Sequence, residues 1–140
     1  MNNHKGLTIW TLVANFFIII AAGHGIGTIG LLQLVTVADL LGFNDFFSSE
    51  ERFQYLLFWA VVINFLGQLF VLASLLKKQR PVYTRVTGLG LLLTAFLVLI
   101  YYLREQDTLM ATVITGIPFL ILSAVLTYKH LHSIEVIVEV

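Results

Sequence analysis

Long stretches without a formal charge constrain this chain more than any other feature. Between Lys5 and Asp39 lie 33 residues with no Asp, Glu, Lys or Arg. Three more such runs follow: Phe53–Leu76 with 24 residues, Val86–Leu103 with 18 and Thr108–Tyr128 with 21. A helix needs about 20 mostly apolar residues to cross the ~30 Å hydrocarbon core of a bilayer, and all four runs meet or nearly meet that length. Inside lipid every backbone N–H and C=O must pair within the protein, which makes helices the default spanning form. A membrane β-barrel would alternate polar and apolar residues over segments of about ten. Neither Phe16–Ala22 nor Leu89–Ile100 alternates. Composition agrees, with 11% of residues charged against about a quarter in soluble domains.

The expected fold is an all-α membrane protein, a single domain (1–140) forming a four-transmembrane-helix bundle. The spans are expected at 7–36, 53–77, 85–104 and 108–129, with helices 1 and 2 longer than 3 and 4. An outer loop (37–52), an inner loop (78–84) and an inner tail (130–140) complete the layout. Lysine and arginine set the orientation, because cytoplasmic loops carry an excess of both. Lys5, Lys77, Lys78, Arg80, Arg85 and Lys129 fall on one side of such a bundle, and only Arg52 and Arg104 on the other. Both ends are therefore expected in the cytoplasm, in a bacterial inner membrane. Aromatic residues belong at the two interfaces: Trp10, Tyr83 and Tyr128 near the inner one, Tyr55, Trp59, Tyr101 and Tyr102 near the outer one.

Local signals mark the helix ends. Ser48-Ser49-Glu50-Glu51 has the form of a capping box, and Gly42 suits the end of helix 1. Pro81 is expected to stop helix 2, with Thr84 and Thr108 capping helices 3 and 4. An unbroken helix from Leu7 to Leu41 would be ~50 Å long, about 20 Å more than the bilayer core. Either its outer end projects, or it breaks at the glycines and lies flat. Lys5, Leu7–Ala22 and Ala21-Ala22-Gly23 resemble a signal peptide, but the apolar run continues beyond, so cleavage is not expected. Phe43, Phe46 and Phe47 suit a segment lying in the headgroup region, or a docking surface. Ser133–Val140 alternates at Glu135 and Glu139 and reads as a short strand or an unordered end.

Several function classes drop out. There is no cysteine, hence no disulfide, thiolate chemistry or Cys-bound metal. Eight basic and eight acidic residues cancel, and no basic run resembles a nucleic-acid footprint, so nucleic acid is not an expected partner. No cofactor or metal is expected. His24 is the one histidine within a span, so two-histidine haem ligation has no second ligand, and the spacing of His4, His130 and His132 is not a ligand motif. No acid, nucleophile–base pair or metal cluster falls within a span, so an enzyme is not expected.

What remains is polar chemistry in lipid, where uncompensated polar groups are costly and tend to face the bundle or a cavity. On a continuous helix 1, Gly23, Gly27 and Gly30 form one stripe flanked by His24, suited to close helix packing. Asn15, His24, Asn64, Gln68 and Thr115 are candidates for a polar pocket or pore. Asn64 and Gln68 share a face, being four residues apart, whereas Asn15 and His24 face opposite ways on a continuous helix. Pro118 is expected to kink helix 4. These features suit two functions. The first is a non-catalytic subunit or self-associating helical assembly, a homo-oligomer or part of a larger membrane complex. The alternative is an oligomeric channel or carrier for a small neutral or weakly polar solute.

Overall fold

A computed structural model describes residues 3–22, 25–41, 52–76, 81–104 and 109–138. Among these described residues are five helices and one antiparallel strand pair, a β-hairpin: α1 (Asn3–Phe16), β1 (Ile19–Ala22), β2 (Gly25–Thr28), α2 (Ile29–Leu40), α3 (Arg52–Leu76), α4 (Pro81–Leu103) and α5 (Leu109–Val138). Three helices are long and apolar enough to cross a membrane: Leu56–Leu76, Val82–Leu103 and Leu109–Lys129, of 21, 22 and 21 residues. The chain is thus built as an integral, multi-pass membrane protein.

The first apolar run departs from expectation. The continuous helix over 7–36 is replaced by two short helices, of 14 and 12 residues, with a hairpin between them. Local chemistry accounts for the break. Ile18-Ile19-Ile20 is β-branched and favours extended backbone. Glycines at 23, 25, 27 and 30 are poor helix formers. The strands pair antiparallel with Ile19 opposite Thr28, Ile20 opposite Gly27 and Ala22 opposite Gly25. Non-helical backbone is tolerated at membrane depth only when it is buried in protein or lines a cavity. The hairpin meets that condition: β1 lies against α5, and Ile18, Ile20 and Ile29 are buried. Three backbone donors at its base are matched. Ile18 N donates to the Asn15 carbonyl (3.2 Å) and Ile29 N to the Ile18 carbonyl (2.9 Å). Ile19 N donates to Thr115 Oγ1 (3.0 Å). Thr115 lies six residues into α5, so the hairpin base sits about 9 Å below that helix's first residue.

The remaining helices pack around this insert. The most extensive contact is between α3 and α4; α1 lies chiefly on α5, and α2 on α3. Phe96 of α4 meets Phe119 of α5 edge-on at 6.0 Å, and Gly116 leaves the room that the Phe96 ring fills. Leu92, Leu99 and Leu126 complete the centre of this core.

Other expectations change with the structure. Pro81 opens α4, where a missing N–H costs nothing and the fixed φ suits a first turn. Arg85 consequently sits on a helix, buried, rather than just after a loop. Its Nε donates to Ser74 Oγ at 3.1 Å. Helix α5, at 30 residues, is the longest of the described helices, against the expected length order, whereas α3 (25 residues) does exceed α4 (23 residues) as expected. Helix α5 continues through Pro118, and its last turns take in Ser133–Val138 as helix, not strand. Without a described partner strand, backbone bonding along the chain satisfies those residues. Val37–Leu40 is likewise helical, the end of α2. The proposed capping box at Ser48 and the stop at Gly42 lie outside the described residues. Trp10, Trp59, Tyr83, Tyr101 and Tyr128 are exposed on the helix surfaces, whereas Tyr102 is buried.

Candidate functional site

The break in the first membrane segment brings four carboxamides together. Asn15 stands in the last turn of α1. Just beyond it the chain leaves the helix, with Phe17 N held by the Val13 carbonyl and Ile18 N by that of Asn15. After the hairpin, Thr28 caps the new helix, its Oγ1 accepting from Leu31 N at 3.3 Å. Gln33 follows in the second turn of α2. Opposite both stand Asn64 and Gln68, one turn apart on α3.

Three hydrogen bonds connect them. Gln68 Nε2 donates to Asn15 Oδ1 (2.7 Å) and to Asn64 Oδ1 (3.2 Å). Gln33 Nε2 donates to Asn64 Oδ1 (2.9 Å). Asn15 and Asn64 are buried, at 0% and 2% exposure, and Gln33 is nearly so. All of these bonds use one atom of each asparagine. The other, Nδ2 of Asn15 and of Asn64, has no hydrogen-bond partner among the described residues. Turning the amides over exchanges donors for acceptors but leaves the same two positions spare.

Interhelical hydrogen bonds in membranes average about 0.6 kcal/mol each, so three contribute roughly 2 kcal/mol. A buried polar group left unsatisfied costs about 1–3 kcal/mol, and there are two. As a pure packing device the cluster gains little or loses. As a place where a small polar molecule receives two hydrogen bonds, its spare groups have a use. Carboxamides donate and accept without charge, so the chemistry on offer is neutral hydrogen bonding.

The expected site residues sort accordingly. Asn15, Asn64 and Gln68 meet as one group. Thr115 stands apart, holding the Ile19 backbone while its own hydroxyl donates to the Ala111 carbonyl (2.7 Å). Pro118 is exposed on α5. Gly23 and His24 lie outside the described residues. The glycine stripe is not formed as expected, because Gly27 belongs to β2 and Gly30 to α2. A Cβ on Gly30 would overlap the Phe16 ring, so Gly30 serves contact within the chain. The close helix approach lies elsewhere, between Gly67 and Gly88. Gln33 was missed as a candidate, although as a carboxamide in a charge-free run it carried the same signal as Asn15. On an unbroken helix 1 it would lie about 27 Å from Asn15; the hairpin removes most of that separation.

No protein-family description, curated protein or solved structure matches this chain.

Proposed function

We propose that this protein is a membrane channel or carrier for a small, neutral, polar solute, bound at the break between α1 and α2. The observation that carries this reading is the pair of buried carboxamide groups left over on Asn15 and Asn64. Broken membrane helices commonly form substrate sites in transporters, where helix ends and unwound backbone face the cargo. Here the break adjoins four amides, and an uncharged set of donors and acceptors suits an uncharged solute. A purely structural, non-catalytic subunit has no use for the spare groups. Association into a homo-oligomer, N- and C-termini in the cytoplasm, a bacterial inner membrane and the lack of enzymatic activity belong to the same proposal.

The test is osmotic. Proteoliposomes are mixed with hyperosmotic urea or glycerol, and re-swelling is followed by stopped-flow light scattering. Faster re-swelling than in protein-free liposomes is expected with at least one probe, and its loss in Asn64→Leu. Rates equal to protein-free vesicles for both probes and for water would refute the proposal and favour a structural subunit.

A further inference from the structure

We infer that this bundle is fitted to a thin bilayer, with a hydrocarbon core about 21–26 Å across in place of the usual ~30 Å. The observations lie on the lipid-facing surface of α4 and α5, and none of them involves the solute site.

One edge of the apolar belt is marked on α4. Tyr101 is 63% exposed, and tyrosines on a membrane surface sit at headgroup level. Its Cα–Cβ bond tilts toward the helix N-terminus, which here means back toward the membrane centre. Arg104 is exposed too, and its guanidinium stands over the Tyr101 ring, 5.0 Å from the centroid. A charge facing hydrocarbon is costly, so headgroups or water must reach down to that ring. The opposite edge is marked on α5. Tyr128 is 70% exposed and is followed by Lys129, also exposed. Its Cα–Cβ bond likewise tilts toward the helix N-terminus and so into the membrane.

Packing between the two helices fixes the distance between these edges. The Phe96 ring meets Phe119 at 6.0 Å and fills the room left at Gly116, which sets the register of α4 against α5. Tyr101 lies five residues beyond Phe96, and Tyr128 nine beyond Phe119. Being joined by a short turn, the helices run in opposite directions, so these two steps lead away from each other. With Phe96 level with Phe119, the tyrosines are about 21 Å apart along the bundle; with Phe96 level with Gly116, about 26 Å. Helix tilt can only shorten that span. A second pair on α4 agrees. Tyr83 is also exposed, and its 18-residue spacing from Tyr101 is five full turns, which puts both on one face about 27 Å apart. Arg85 does not interrupt that face, because it is buried with its Nε on Ser74. The spans themselves, of 21 and 22 residues, are long enough for a thicker bilayer. The exposed aromatic and cationic groups near their ends set the narrower limit.

The test places the whole protein in nanodiscs of dimyristoleoyl-, dipalmitoleoyl-, dioleoyl- or dierucoylphosphatidylcholine, a series that lengthens the acyl chains under one headgroup. Thermal unfolding is followed by circular dichroism. The highest midpoint is expected in dipalmitoleoyl lipid, and one lower by roughly 5 °C or more in dierucoyl lipid, because mismatch is penalised for every ångström. The double variant Tyr101→Leu, Arg104→Leu lengthens the apolar face of α4 by about one turn and should move the optimum to dioleoyl lipid. If that variant does not fold, depth can be read directly. Tyr101→Trp and Tyr128→Trp, each in a Trp10→Phe, Trp59→Phe background, are exposed to brominated lipids in dipalmitoleoyl nanodiscs. Bromine near the headgroup should quench both about twofold more than bromine at the chain end. A midpoint that climbs through to dierucoyl lipid, or that is the same in every lipid, would overturn the inference. So would tryptophans quenched chiefly from the chain ends.

Discussion

Gly67 and Gly88 bring the backbones of α3 and α4 into direct contact. A Cβ on Gly67 would stand 3.0 Å from the Gly88 carbonyl oxygen, and one on Gly88 would stand 2.9 Å from that of Gly67 and 2.8 Å from Val71 N. Small residues at a membrane-helix crossing permit this approach, and tight van der Waals packing replaces the hydrophobic drive that lipid removes. Because the obstructing atoms are backbone, the helices must separate to admit a methyl group. Gly88→Ala is expected to destabilise the protein by about 1–3 kcal/mol, the usual range for overpacking. Gly90→Ala, on the same helix with nothing within 4 Å, is the control. Unfolding in mixed micelles of increasing SDS content, followed by circular dichroism, separates the two. Equal stabilities would mean that the close crossing is not a source of stability.

The join between α1 and α2 makes a paired prediction. Gly30 leaves the space occupied by the Phe16 ring. Gly30→Ala alone should be destabilising, and much less so in a Phe16→Leu background. Residues in contact show coupling energies of about 0.5–3 kcal/mol in double-mutant cycles. Additive effects in the same SDS titration would argue that the two half-helices do not meet there.

Thr115 should matter to the hairpin rather than to the solute. Thr115→Val removes the acceptor of Ile19 N while keeping nearly the same shape. A buried N–H left unpaired costs about 1–3 kcal/mol, so amide exchange of β1 should accelerate by roughly tenfold or more. Thr115→Ser should exchange like the parent. Hydrogen–deuterium exchange of the peptide covering residues 17–22 reads the difference, and unchanged protection in Thr115→Val would contradict the bond.

The proposed topology is open to labelling. If the broken segment crosses the bilayer as one unit, Lys5 and Lys129 share a side. Lys5→Cys and Lys129→Cys should then react with an impermeant maleimide from the same side of oriented vesicles, and Arg104→Cys from the other. Labelling of Lys5→Cys and Lys129→Cys from opposite sides would mean that α1, the hairpin and α2 form a re-entrant segment.

Much of the site could be read in the chain because polar residues in charge-free runs are few and costly. Asn64 and Gln68 lie four residues apart, and any helix through them puts both on one face. Their pairing with Asn15 depends only on depth, which residue counting approximates. Gln33 was hidden by the assumption of a straight helix. In an apolar run such as residues 16–30, periodicity does not separate buried helix from buried strand, and glycine is common in membrane helices. The cue that favoured the hairpin was the conjunction of three successive isoleucines with closely spaced glycines.

The order of charged and uncharged residues by itself determined that this chain belongs in lipid and where its three long helices run, because the cost of placing charge in hydrocarbon acts on every residue regardless of neighbours. Tertiary structure decided where the first segment breaks and which amides meet. A hairpin at membrane depth exists only where other elements bury it and match its backbone donors. Here α5 matches the Ile19 donor through Thr115, at a sequence separation of 96 residues. No local preference around Ile19 could specify that partner.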